Sequence, residues 1–160
     1  QVALLISTGP TRTRELLSAT PLYISSKRSS ILAEKFEPVA NEINRAIRER
    51  SRERHIDGIR KLEEIVNKYP NPAYDVQFLL FIGAYYKYLG EYEMAIATFE
   101  RVVNDYPNSS LASIAQCAIG IIYEEKLKDL ERAKTAYQKV LSNYPQSPEV
   151  EEASAGLSRI

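Results

Sequence analysis

Residues able to do chemistry are sparse in this chain. Its one histidine, His55, has no second imidazole to complete a zinc site or a catalytic triad. Its one cysteine, Cys117, excludes an intramolecular disulfide and a cysteine zinc site. No His or Lys stands near Cys117 in sequence to lower its pKa. Both read as structural: His55 at an inter-helix turn, Cys117 as a small packing residue on an apolar helix face. The adjacent acids Glu63-Glu64, Glu124-Glu125 and Glu151-Glu152 are neighbours in sequence. On a helix, neighbours point about 100° apart, so they suit solvated faces and not a working carboxylate pair. Gly-rich phosphate loops are absent. The expectation is no catalytic residue, no metal ligand, no cofactor, and hence no enzyme.

One charged cluster stands out. Arg45, Arg48, Arg50, Arg52 and Arg54 lie in one stretch, with Glu49 and Glu53 between them. Nucleic-acid binding needs a basic stripe that survives neutralisation. Here Glu49 can pair with Arg45 or Arg52 and Glu53 with Arg50, which weakens the field. A salt-bridged surface helix is the leading reading, and capture of an acidic partner or nucleic acid through this helix is the alternative. The whole chain offers no global attraction to polyanions, because 21 basic and 21 acidic side chains balance. The balance hides a split: residues 1–54 carry ten basic and six acidic side chains, and the rest carries the compensating acid excess.

The elements that would position any site show in a repeat. Tyr-Pro recurs at Tyr69-Pro70, Tyr106-Pro107 and Tyr144-Pro145, at spacings of 37 and 38 residues. Before each lies an apolar run at steps of three and four: Leu62, Ile65, Val66; Phe99, Val102, Val103; Tyr137, Val140, Leu141. That spacing predicts amphipathic helices, each stopped by its proline. A second helix precedes each of the last two, marked by Ile82, Gly83, Tyr86 and by Ile119, Gly120, Tyr123. Glycine in mid-helix costs about 1 kcal/mol against alanine, which suggests a close helix–helix approach. Ala95 and Ala133 are the small residues expected to meet those glycines. Leu89-Gly90-Glu91 supplies the first intra-pair turn, and Lys128-Asp129-Leu130 the second, with one extra residue.

The stretch LLFIGAYYKYLGEYEMAIATFERVVNDYP, Leu79 to Pro107, resembles the tetratricopeptide repeat. Ile82, Gly83, Tyr86, Ala95, Phe99 and Pro107 match its signature, Leu79 stands where the family prefers Trp, and Val102 replaces a usual Ala. The second unit matches at Ile119, Gly120, Tyr123, Ala133, Tyr137 and Pro145, and departs at Gln116, the Trp position. The joints, with Tyr-Pro-x-Ser before a helix, resemble the bacterial cell-envelope branch of outer-membrane-assembly lipoproteins and Tol–Pal-associated periplasmic proteins. The resemblance implies an all-α, right-handed solenoid of antiparallel helix pairs without significant sheet. It also implies a periplasmic or cell-envelope location, with the cytoplasm as the alternative.

The expected organisation is an irregular arm over 1–30 and a helical domain over 31–160. The domain holds a degenerate unit at 37–70, full units at 76–107 and 113–145, and a closing helix at 148–158. The degenerate unit pairs a helix over Glu37–Arg52 with one over His55–Asn67. Ser147-Pro148-Glu149 reads as the start of the closing helix, with Ser147 as its cap. No segment approaches the ~18 apolar residues of a membrane span. Val2 to Ile6 is apolar but too short, and leaves open whether a signal peptide or lipid anchor precedes Gln1.

Stacked helix pairs of this family leave a concave groove lined by first helices. The positions implied here are Gln77, Leu80, Ala84, Lys87 and Tyr88, then Ile114, Cys117, Ile121 and Glu124. Gln77, Leu80, Ala84, Lys87, Tyr88, Ile114, Ile121 and Glu124 are taken as the partner-binding set, because aromatic and aliphatic side chains with a charged rim suit protein contacts. The family's carboxylate clamp needs Lys and Asn in this groove, and Leu80 and Ala84 are wrong for it. The function expected is a non-catalytic scaffold that binds a protein or peptide. Nucleic acid is disfavoured, and oligomeric state is left open.

Overall fold

The structure, a computed structural model, describes residues 52–68 and 72–160. Within them lie six helices and no strand: α1 (Arg52–Lys68), α2 (Pro72–Leu89), α3 (Tyr92–Asp105), α4 (Ala112–Ile121), α5 (Leu130–Asn143) and α6 (Glu149–Arg159). This is the all-helical repeat that the three-and-four spacing predicts. The arm over 1–30, the helix expected over Glu37–Arg52 before its last residue, the Arg45–Arg54 run before Arg52, Tyr69-Pro70 and the side chains of Arg52, Arg54 and His55 lie outside the described residues. The chain divides into two compact units, 1–78 and 79–160, with the division inside α2.

In the first unit, α1 buries Gly58, Ile59, Leu62 and Val66 along one stripe and exposes Glu53, Asp57 and Glu64. In the start of α2, Asp75, Val76 and Phe78 are buried.

The second unit repeats its own geometry. Each Tyr-Pro step closes a helix in the same way, because the proline that follows has no N–H to donate and its ring blocks the next turn. Tyr106 sits at φ −132°, ψ 49° and Tyr144 at φ −131°, ψ 50°. Their amides donate to the carbonyls of Val102 and Val140, at 3.1 and 2.9 Å. Both joints then run through the same two turns, Ser109 N–H to Tyr106 and Ser147 N–H to Tyr144. Ser147 does not cap α6 with its side chain, contrary to the sequence expectation: Pro148 is the cap residue, and Val150 N–H bonds the Ser147 carbonyl at 3.2 Å. The turn has already taken the amide that a serine cap would serve, and Ser147 Oγ is buried without a hydrogen bond.

The two mid-helix glycines do create close approaches, but to aromatic rings. A Cβ on Gly83 would lie 2.6 Å from the Phe99 ring, and one on Gly120 would lie 2.5 Å from the Tyr137 ring. Ala95 and Ala133, expected at these contacts, are fully buried nearby in sequence, one turn before the rings. An aromatic side chain on α3 or α5 reaches the bare backbone, and the Phe99 and Tyr137 rings make the nearest contacts. A third glycine joins this pattern. A Cβ on Gly156 of α6 would clash with the opposite edge of Tyr137. That ring is therefore clamped between α4 and α6. Helix α6 packs on both α4 and α5, and buries Ala153 and Gly156 while Glu151, Ser154 and Ser158 stay in water.

The one-residue insertion appears as a widened helical turn. In the first pair Gly90 takes a left-handed φ of 81°, and Glu91 N–H reaches back five residues to the Tyr86 carbonyl at 2.9 Å. In the second pair α4 continues as a π-helical segment, Ile122–Leu127. Lys128 is left-handed at φ 57°, and Asp129 N–H reaches back six residues to the Tyr123 carbonyl at 2.9 Å. The extra residue is thus absorbed between Tyr123 and Lys128, before the turn. Asp129 then caps α5 by accepting from Arg132 N–H at 3.0 Å.

Candidate partner-binding face

Of the eight residues expected to bind a partner, Gln77 is half-buried and belongs to the first unit. The other seven belong to the second. Leu80 and Ala84 are buried, at 0% and 5% exposure, and are core side chains. The cause lies in α2 itself, which is apolar around most of its circumference; such a helix is covered on all sides. Tyr88 is the most open of the set, at 47% exposure. Its ring tilts against Tyr85 with centroids 5.8 Å apart, and Tyr85 stacks on Phe81 at 5.9 Å. Lys87, Ile114, Ile121 and Glu124 are half-buried.

Lys87 lies within electrostatic reach of Glu125, Lys126 and Cys117. Burial lowers its ammonium below the ordinary lysine value, and Glu125 opposes that shift. The end of α2 therefore lies near the π-helical segment that follows α4. Ile121 lies in part on the core cluster of Cys117, Ala133, Tyr137, Val140 and Ala153, with Leu157 beside it. Cys117 is buried, and its thiol is pushed up to about 12, by burial first and then by Glu152 and Glu149. A thiol in that state is a packing group with no nucleophilic use at neutral pH, as the sequence reading supposed.

Glu124 serves a different purpose. Its carboxylate accepts the Tyr137 hydroxyl at 2.5 Å and both Nε (2.8 Å) and Nη2 (3.0 Å) of Arg159. Arg159 Nη2 also donates to Glu152 at 3.0 Å. Arg159 holds the Glu124 carboxyl below the usual carboxylate range, with help from Tyr137, while burial works against both. The same carboxylate, after burial, pushes the Tyr137 phenol up. A second link joins the helix starts, Ser113 Oγ to Glu149 at 2.8 Å. The sequence reading gives Glu124-Glu125 and Glu151-Glu152 to solvated faces and also places Glu124 in the partner-binding set. It missed that Glu124 ties α4 to α6, and the one signal for it was the inserted residue, whose widened turn carries Glu124.

Among the described residues no three His, Cys, Asp or Glu side chains are grouped to hold a metal. Among them, too, no helix is long and apolar enough to cross a membrane. Among the described residues, this surface offers apolar contact, hydrogen bonds and charge. Residues 82–109 and 118–147 match the tetratricopeptide repeat family, and each span runs from a first helix through its partner to the Tyr-Pro joint. These two helix pairs are similar to tetratricopeptide repeats. No curated protein and no solved structure matches the chain.

Proposed function

We propose that the chain is a non-catalytic scaffold that holds a partner protein or peptide against the first-helix face of its second unit. Tetratricopeptide repeats generally mediate protein–protein contacts, and the repeat match supports that coarse reading. The observation that carries the finer one is Tyr88, exposed at 47% beside Lys87, which lies within electrostatic reach of Glu125 and Lys126. An aromatic centre with a charged rim is the usual composition of an interface, and tyrosine gives large contact area at small entropic cost. Ile114 and Ile121 extend the apolar part. Leu80 and Ala84 support this face from beneath, and Glu124 braces it through Arg159.

The test is a photo-crosslinking amino acid at position 88 in the source cell, followed by affinity measurements with the purified crosslinked protein. Tyr88→Ala and Lys87→Glu should each weaken binding about tenfold or more, the size of a hot-spot loss. Equal affinity for parent and both variants would sink the assignment of this face. The Tyr-Pro-x-Ser joints support a further placement of the scaffold in a bacterial cell-envelope assembly on the periplasmic side. Fractionation of the source cell that leaves the protein wholly cytoplasmic would refute that placement.

A further inference from the structure

A second surface lies on the opposite helices of the same unit. Where α2 places the fully buried Leu79, and where the repeat family prefers Trp, α4 places Gln116. Gln116 is only 4% exposed, yet it is an amide. Its Nε2 donates to the Ala136 carbonyl at 3.3 Å, and its carbonyl oxygen makes no hydrogen bond among the described residues. That oxygen is not among the buried unpartnered side-chain atoms, so it keeps access to solvent and can accept from a ligand. Gln116 forms part of the lining of a cleft of about 400 Å³ between α3 and α5, floored by α4. That volume falls within the range of true ligand sites, roughly 300–1,000 Å³.

The walls carry opposite charges. Glu100 stands on the α3 wall and Lys139 on the α5 wall, and neither has an ion-pair partner among the described residues. Thr135 adds a hydroxyl on the α5 wall. The far end is closed by Arg132, whose guanidinium lies 5.0 Å over the Tyr123 ring while Asp129 holds it at 2.5 Å. Asp129 offsets the Arg132 charge, so Lys139 and Glu100 set the charge preference. Side chains of an extended chain alternate between opposite sides. An acidic residue turned to α5 therefore turns its neighbour to α3, where Glu100 favours a base.

We propose that this cleft binds an extended peptide segment whose acidic side chain meets Lys139 and whose adjacent basic side chain meets Glu100, with a main-chain N–H donated to the Gln116 carbonyl. The site is independent of the face around Tyr88.

Fluorescence anisotropy with labelled synthetic peptides tests it, using alternating Glu-Lys, all-Glu, all-Lys and Gly-Ser sequences on the full chain. The alternating peptide should bind best. Lys139→Glu and Glu100→Lys, both on exposed positions, should each weaken it about tenfold or more, as expected for a lost charged hydrogen bond. Gln116→Leu copies the residue that α2 uses, and should remove binding while the helical circular dichroism is kept. Tyr88→Ala should leave this binding unchanged. The proposal is overturned if the alternating peptide binds no tighter than all-Glu, or if Lys139→Glu binds it as the parent does. It is equally overturned if Tyr88→Ala weakens binding as much as the cleft variants do.

Discussion

Gly120→Ala places one methyl group against a ring that has nowhere to go. The new Cβ would lie 2.5 Å from Tyr137 Cε1 and 2.6 Å from Cδ1, where ordinary contact begins near 3.4 Å. The ring must therefore retreat by almost an ångström, or α4 and α5 must part. Retreat is blocked on the other edge by the Gly156 backbone of α6, and the hydroxyl is tethered to Glu124. Overpacking of this kind costs about 1–3 kcal/mol. Replacing a helical glycine by alanine returns about 1 kcal/mol of helix propensity. With the ring blocked on both edges the upper part of that range applies, about 2–3 kcal/mol, so the net expectation is destabilisation by about 1–2 kcal/mol, read as a drop of a few degrees in melting temperature for a chain of this size. Thermal and urea unfolding followed by circular dichroism measure it. A cycle with Tyr137→Leu separates the two terms: with the ring gone, Gly120→Ala should become neutral or stabilising. A Gly120→Ala protein as stable as the parent in the Tyr137 background would refute the clamp. So would the same cost in both backgrounds.

Three further outcomes follow from the same contacts. Glu124 titrates below its ordinary value of 4.5 in the folded state, so its stabilisation is present above that pH and is lost as pH falls through the lower folded value. Glu124→Gln should flatten this acid limb in unfolding measured across the pH range, and an unchanged limb would show that the Arg159 pairing adds nothing. Lys128→Gly relieves a left-handed backbone, φ 57°, and should stabilise by about 1 kcal/mol in urea unfolding; a loss would show that the lysine side chain contributes more than its backbone strain costs. Cys117, buried with its thiol pushed up to about 12, should react with a thiol-specific reagent at neutral pH only when urea unfolds the chain, and rapid labelling of the native protein would show that α4 opens locally.

Much of this architecture was legible in residue order, because its controls are local. Proline after tyrosine ends a helix through covalent geometry, so Tyr106 and Tyr144 adopt the same cap wherever they fall. The apolar steps of α3 and α5 mark their inner faces directly: Phe99, Val102, Tyr137 and Val140 are all fully buried. What residue order left open depends on depth and on neighbours. Leu80 and Ala84 fall on the first-helix groove positions by their spacing, but an apolar α2 is buried nearly all round. Gly83 announced a close contact without saying whether Ala95 or Phe99 makes it, since the two share a face one turn apart.

The inserted residue joins these levels. An extra position could have lengthened the loop, where insertions are cheap. It instead widens the last turn of α4, at the expense of a non-glycine left-handed residue. What that geometry provides is the Glu124 carboxylate in hydrogen-bond range of both Tyr137 and Arg159, an arrangement absent from the first pair, whose ring is Phe99 and has no hydroxyl. The polar groups of the first-helix face are thereby largely committed to holding α4, α5 and α6 together: Glu124, Glu152, Arg159, Ser113 and Glu149 all bond within the unit. On the proposed function, a partner on that face meets a surface whose polar groups are mostly bonded within the unit, and its selectivity comes from shape and from the exposed Tyr88. The cleft between α3 and α5 is the opposite case. There Glu100, Lys139 and the carbonyl of Gln116 have no internal bonds among the described residues, and recognition by charge and hydrogen bonding has its donors and acceptors still to spend.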